Sequence, residues 1–287
     1  MKEFNTESEV IDFISTLKKL NLCNTSTAYL DLKNVLLEYS IPLPVITIEK
    51  GMILFRSRIH SDIEKYFSTT SELSHIPIGK RHLIKRGRAN EPEQPIFYCS
   101  TMRELAFMET SKNVRNSKNA SIEEVTTGVW EVKNNLRVVL LNRERDLQDV
   151  NVTLNKLNIS TFEVKKLFNA NLLGFLYPLM DYICEEFTKP NDENDFKITS
   201  AFANYFYDLY GWDMVLNKET EIDGIIYPSV QYCHEGLNVA LDSRVVNKGN
   251  LELVKVMKST MEKKNEELFM ETKTEFCKEI KNGLIYW

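Results

Sequence analysis

Glu109 is the residue whose position in this chain first suggests chemistry. It closes the run Thr101-Met102-Arg103-Glu104-Leu105-Ala106-Phe107-Met108-Glu109. The Thr101-x-x-Glu104 spacing predicts a capping box, in which the hydroxyl and the carboxylate satisfy orphan amides of a first helical turn. At about 100° per residue, Leu105, Ala106 and Glu109 fall within roughly 60° of Met102, on one stripe. Arg103 and Glu104 lie elsewhere, where solvated residues belong. A carboxylate on an apolar stripe costs free energy unless it is partnered, and a burial-perturbed carboxylate is a recurring catalytic device. The helix alone leaves two readings: a core Glu satisfied by an arginine or by backbone amides, or a functional acid.

Arg88 occupies a polar turn, Gly87-Arg88-Ala89-Asn90, and Arg56 and Arg58 stand two apart on a β-rich run, so both project from one sheet face. Guanidinium groups suit phosphate oxygens, which they can grip with two parallel donors. Tyr98 lies on the short strand-like run Ile96-Phe97-Tyr98-Cys99-Ser100, and Ser229 follows Pro228. Together these residues suit an anionic ligand and the stabilisation of a developing cation. Each also has a structural reading. Arg88 could pair with Glu109, Tyr98 could fill a strand core, Ser229 could serve a turn, and Arg56 could line a solvated face.

Several chemistries are excluded. There is no phosphate-binding loop of Walker type, no G-x-G-x-x-G after a strand and no G-x-S-x-G elbow. The four histidines (His60, His75, His82, His234) have no zinc-ligand spacing. The five cysteines are scattered and odd in number, as expected for reduced thiols in a cytoplasm. A net charge of −5 argues against a dedicated nucleic-acid binder. The local basic cluster Lys80-Arg81-His82 and Lys85-Arg86-Gly87-Arg88 suits a small phosphorylated ligand better than a duplex. Met1–Asn5 lacks the apolar core of a secretory signal, and the most apolar stretch, 167–183, is too interrupted by polar residues and Pro178 to span a membrane.

The elements that must position these residues follow from periodicity. Thr6 caps an expected amphipathic helix carrying Val10, Phe13, Ile14 and Leu17, and a second is expected from about Thr27 to Tyr39 before Ile41-Pro42-Leu43-Pro44 stops it. Strands are expected at Val45–Ile48 and Met52–Arg58, with Glu49-Lys50-Gly51 as the turn between them. Residues 113–127 read as an exposed loop. Two strands, 128–132 and 136–141, follow across an Asn134-Asn135 turn. Phe162–Phe187 and Ile198–Tyr210 have helical periodicity, with Phe202, Tyr205 and Phe206 at core spacing. Strands return at Asp223–Val230 and Gly236–Leu241. The tail favours a β-hairpin across Lys263-Lys264-Asn265 over one long helix.

In this order, Leu54-Phe55-Arg56, Gly87-Arg88-x-Asn90, Ile96-x-Tyr98-x-Ser100, Glu104-Leu105-Ala106-x-x-Glu109, Asp223-Gly224-Ile225-x-Tyr227-Pro228-Ser229 and Gly236-x-Asn238-x-Ala240-Leu241 resemble the RES domain. That family takes its name from an Arg, a Glu and a Ser, and includes toxins of RES–Xre toxin–antitoxin pairs. The resemblance covers roughly Val45 to Met257, and Ala89 departs from the usual bulky residue between Arg88 and Asn90. It implies an α+β, ADP-ribosyltransferase-like split β-sheet core (45–287), with an N-terminal helical segment (1–44) and a helical insertion at about 142–215. It also implies a toxin-like, cytoplasmic enzyme that consumes NAD at its nicotinamide–ribose bond, by hydrolysis or with phosphate as co-substrate. Arg88, Glu109 and Ser229 match the name-giving residues and would be catalytic. Arg56, Tyr98, Arg88 and Ser229 would bind NAD. No metal, no direct nucleic-acid contact and no membrane contact are expected, and the resemblance leaves open an antitoxin protein as a partner. ADP-ribosyl transfer to a macromolecule and a non-catalytic nucleotide-binding module stand as the alternatives.

Overall fold

The structure is a computed structural model and describes residues 1–23, 27–41, 44–60, 66–111, 114, 116–142, 154–155, 174–189, 196–208, 210–213, 218–229, 236–264 and 269–287. The fold is α+β. Helix α1 (Glu7–Leu22) starts where the Thr6 side chain accepts the Glu9 amide at 3.3 Å, and it buries Val10, Phe13, Ile14 and Leu17, the i, i+3, i+4, i+7 stripe of an amphipathic helix. Helix α2 (Ala28–Leu37) buries Ala28, Leu32 and Leu36.

Strands β1 (Val45–Ile48) and β2 (Ile53–Ile59) precede β3 (Ile96–Ser100), which leads into α3 (Arg103–Thr110). Strands β4 (Ser121–Val132) and β5 (Leu136–Leu140) come next, followed by α4 (Tyr177–Thr188) and α5 (Lys197–Asp208). A small hairpin, β6 (Tyr210–Asp213) with β7 (Lys218–Glu221), leads to β8 (Gly224–Pro228) and β9 (Leu237–Asp242). The chain closes with α6 (Ser243–Asn247), the long strands β10 (Leu251–Lys263) and β11 (Phe269–Phe276), and a last hairpin, β12 (Glu279–Lys281) with β13 (Leu284–Tyr286).

Nine strands form one sheet in the order β1-β5-β8-β9-β3-β2-β4-β10-β11, antiparallel except between β5 and β8. The sheet has a pinch. Between β3 and β2 the single paired position is Phe55 opposite Ser100, whereas β3 pairs with β9 at five positions and β2 with β4 at seven. Where a second β2–β3 pair would form, the Arg56 guanidinium donates to the carbonyl of Tyr98. A side chain thus takes the backbone acceptor that the parting strands leave over.

The helices cover the β8–β9 side of the pinch. Phe187 of α4 packs on Tyr227 with ring centroids 5.3 Å apart, and the Tyr207 hydroxyl of α5 donates to the Ala240 carbonyl at 3.2 Å. All of Ile198 to Tyr207 is buried, with α2 against α5 and α1 against α4. The aromatic spacing of Phe202, Tyr205 and Phe206 is therefore core packing, as its periodicity predicts. Phe4, Phe13, Leu17, Leu32, Leu36 and Ile41 join the same hydrophobic cluster as the sheet. The Tyr205 hydroxyl accepts from the Ile41 amide at 2.9 Å and donates to the Tyr39 carbonyl at 2.7 Å, just before β1 begins.

One expectation changes. The stretch 113–127 is not all exposed loop, because β4 begins at Ser121 and pairs with β10 along its length, burying Glu123, Thr126 and Thr127. Its polar composition hides a strand whose pairing partners, β2 and β10, both lie far away in sequence. The two strands across Asn134-Asn135 form as expected, without pairing to each other: β4 pairs with β2 and β10, while β5 crosses the pinch to pair with β1 and β8. The tail hairpin forms as expected, with Lys263 opposite Phe269. Most of Phe162–Phe187, up to residue 173, lies outside the described residues.

Replacing Tyr205 by Phe strips one donor and one acceptor from a buried junction while keeping the ring. The expected cost is roughly 1–3 kcal/mol. Denaturant unfolding should show a lower midpoint at an unchanged slope; a midpoint equal to that of the wild type would show that the junction carries no weight.

Candidate active site

The Gly87–Asn90 turn is closed by its own backbone, with the Gly87 amide on the Asn90 carbonyl at 3.1 Å. The Asn90 amide group donates to the carbonyls of Lys85 (2.8 Å) and Glu91 (2.7 Å). The Tyr98 hydroxyl donates to Asn90 Oδ1 and accepts from the Ala89 amide, both at 2.8 Å. A Cβ on Gly87 would stand 2.4 Å from Asn90 Oδ1 and 3.0 Å from Tyr98 Oη, so glycine is what allows this close approach. Tyr98 therefore pins the turn that carries Arg88. Its hydroxyl is fully engaged, and its half-buried ring is the part left to meet a ligand.

Arg88 reaches to the C-terminal end of α4. Its Nη1 donates to the carbonyls of Glu186 (3.2 Å) and Phe187, and its Nη2 to that of Lys189 (3.1 Å); the group also lies 5.4 Å from the Phe196 ring centroid. A helix C-terminus leaves carbonyls without intrahelical donors and favours a cation, so this is a physically satisfied position. Among the described residues no ion pair joins Arg88 to Glu109. The structural partner of Arg88 is a helix end, which single-sequence periodicity could not have supplied.

Arg56, half-buried, lies 5.1 Å from the Phe97 ring centroid, and its buried Nε has no hydrogen-bond partner among the described residues. Burial lowers its pKa to about 10, with the positive charge of Arg58 acting in the same direction. Arg58 takes a different partner, the Glu72 carbonyl, and sits over Phe67. The basic cluster disperses in the same way: Arg86 stacks 3.7 Å from the Tyr29 ring centroid, and Arg81 lies 3.9 Å from Glu93.

The expected capping box does not form. Thr101 continues the β3–β9 ladder instead, with its amide on the Leu237 carbonyl at 3.0 Å and its hydroxyl on the same carbonyl at 3.1 Å. Met102 becomes the N-cap without a side-chain bond, and the Glu104 carboxylate accepts from Arg103 at 3.4 Å. Helix α3 buries Leu105, Ala106 and Phe107, and Glu109 is half-buried beside them.

Among the described residues, neither an arginine nor a backbone amide satisfies Glu109. Its Oε1 accepts from the Ser229 hydroxyl at 2.6 Å and from the Asn238 side-chain amide at 2.7 Å. Asn238 Oδ1 in turn accepts from the Ser100 hydroxyl at 3.0 Å. Among the described residues no group donates to Glu109 Oε2. Ser229 is fully buried, and its one proton lies on Glu109, so toward any further group it can only accept.

Tyr227 completes the group. It stands opposite Asn238 in the β8–β9 register. Burial pushes its phenol well above the ordinary range; Tyr98 and Glu109 add to the rise, and Arg88 opposes it. The structure thus brings Glu109 together with Ser229 directly, while Tyr227 lies within electrostatic range of Glu109, Tyr98 and Arg88. Asn238, Ser100 and Tyr227 are the residues to which sequence reasoning assigned no role. Asn238 did leave a signal, a lone amide inside the otherwise apolar run Leu237–Leu241.

A family model for the RES domain matches residues 54–250, more than half of the chain. The chain belongs to the RES domain family. No curated protein and no solved structure matches it. The RES-domain match begins at Leu54, next to the pinch, and runs through β9 and α6 to the start of β10, so it includes every residue of the site just described. Among the described residues of this RES protein, no cluster of three or more His, Cys, Asp or Glu side chains could hold a metal ion, and no helix is long and apolar enough to cross a membrane.

The buried phenols carry a pH signature. The folded chain holds the Tyr227 proton well above the ordinary value of 10.0, whereas the unfolded chain releases it there. The stability linked to this group is therefore intact below pH 10 and is lost as pH rises beyond it, with a slope of about 1.4 kcal/mol per pH unit for one proton. Tyr227→Phe should flatten the alkaline fall in unfolding free energy by about one proton. An unchanged slope between wild type and variant would contradict the assignment.

Proposed function

We propose that this RES-domain protein cleaves the nicotinamide–ribose bond of NAD, with water or inorganic phosphate as the acceptor. The observation that carries the reading is the state of Glu109: a carboxylate fixed through Oε1 by Ser229 and Asn238, with Oε2 free of donors among the described residues. Breaking that bond passes through an oxocarbenium-like state with positive charge on the ribose. A preorganised carboxylate stabilises such charge without having to reorganise during the reaction. Nicotinamide leaves as a neutral base, so the step needs no general acid.

Arg56 supports the anionic half of the ligand. A half-buried guanidinium with no ion pair to a carboxylate among the described residues is suited to donate to pyrophosphate oxygens. Arg88 is assigned a contributing role through its charge and through the turn it shares with Tyr98. Its three bonds to the end of α4 leave Nε and one Nη2 hydrogen for a ligand. Ser229 acts by holding Glu109, and the Tyr98 ring offers a surface for nicotinamide or ribose.

Incubation of the purified protein with NAD, with and without phosphate, should release nicotinamide. ADP-ribose in both conditions would identify hydrolysis, and ADP-ribose-1-phosphate only with phosphate would identify phosphorolysis. Glu109→Gln keeps the shape and removes the charge, and should lower turnover by roughly 100-fold or more. Absence of turnover by the wild type under both conditions would sink the reading. Label transferred from NAD to protein or nucleic acid would replace it by ADP-ribosyl transfer.

A further inference from the structure

The buried polar pair Ser100–Asn238 lies at the centre of the sheet. Asn238 stands opposite Ser100 on one side and Tyr227 on the other. Its strand neighbours Leu237, Val239, Ala240 and Leu241 are all fully buried and apolar. An amide in such a strand costs free energy unless every polar atom is matched. Here both ends are matched, one by Ser100 and the other by Glu109.

We propose that Ser100 and Asn238 form a positioning relay that fixes the rotation of the Glu109 carboxylate and so selects Oε2 as the oxygen presented to the ligand. The proposal rests on Glu109 being the carboxylate that faces the reacting ribose. The direction of each bond follows from donor chemistry. An ionised carboxylate only accepts, so the Asn238 atom facing it must be Nδ2. With the amide flipped, Oδ1 would face Oε1 and two acceptors would meet. The Ser100 hydroxyl, 3% exposed, then has one task, donation to Oδ1 at 3.0 Å, and it holds the amide in the productive sense. Ser229 supplies the second donor to the same oxygen.

Two donors, one on β9 and one just after β8, occupy both lone pairs of Oε1 and define the carboxylate plane. One donor would leave the group free to turn about its last bond. Misplacement of a reacting group by about 1 Å can cost on the order of 100-fold in rate, which is the scale on which such a relay matters. Neither Ser100 nor Asn238 needs to touch the ligand. They are positioning residues, and their effect travels through Glu109.

Steady-state NAD consumption by the full chain tests this with Asn238→Ala, Ser100→Ala, Ser100→Thr and the Ser100→Ala/Asn238→Ala double variant. Asn238→Ala should lower kcat by on the order of 100-fold with KM little changed. Ser100→Ala should lower kcat by roughly 10-fold, and Ser100→Thr, which restores the hydroxyl, should recover most of that loss. On the Asn238→Ala background, Ser100→Ala should cost nothing further, because its only route to Glu109 is gone. Additive losses, or a change confined to KM, would overturn the relay.

The side-chain amide protons of Asn238, followed by NMR, read the same network without turnover. They should exchange slowly with solvent in the wild type and faster in both Ser100→Ala and Glu109→Gln. A wild type that consumes no NAD but keeps this protection pattern would refute the enzymatic reading alone. Amide protons indifferent to Ser100→Ala would refute the relay, whatever the activity.

Discussion

A single carboxylate oxygen joins three distant parts of the chain. Oε1 of Glu109, near the end of an eight-residue helix, accepts from Ser229 just after β8 and from Asn238 on β9, at 2.6 and 2.7 Å. A partly buried carboxylate without donors would be too costly to keep there. The helix can present a carboxylate at this place because β9 and the residue just after β8 supply neutral donors. Neutral donors matter in another way. An arginine on Glu109 would have cancelled the charge, whereas a serine and an asparagine hold it in place and leave it negative.

The pinch in the sheet provides the room. Because β2 and β3 pair at one position only, the two halves of the sheet diverge beside Ser100, and Arg56 enters the gap to bond the Tyr98 carbonyl. One residue thus repairs the backbone and retains a buried nitrogen without a partner. The same economy recurs at Arg88, which closes the end of α4 while its turn is held by Tyr98 through Asn90 and Ala89. Helix α4 is in this way tied to the site by a cation and to the sheet by the contact between Phe187 and Tyr227. The helical section is consequently part of the architecture that holds the site.

Much of the fold was legible from periodicity. The stripe of α1, the strand at Ile96–Ser100, the buried face of α5 and the tail hairpin all follow from local spacing that the tertiary structure reinforces. The failures share one cause. Thr101 has the chemistry of a cap, yet it continues the β3–β9 ladder, because a bond to Leu237 across 136 positions was available. Ser121–Thr127 looks like loop because its partner strand β10 is remote in sequence. In both, a long-range backbone pairing overrode a local preference, and no window of one sequence contains that partner.

The site divides along the same line. Sequence alone marked Glu109 as a carboxylate in an apolar setting, and placed Arg56, Arg88, Tyr98 and Ser229 in a recognisable order. It did so because residue type and short spacing are enough to show that a group is out of place. What satisfies Glu109 was decided only by the tertiary structure. The adjacency of β3, β9 and β8 brings Ser100, Asn238 and Ser229 to one carboxylate, and the end of α4 draws Arg88 away from it. Hydrogen bonds depend on distance and direction in space, and those were fixed only when the strands took their order in the sheet.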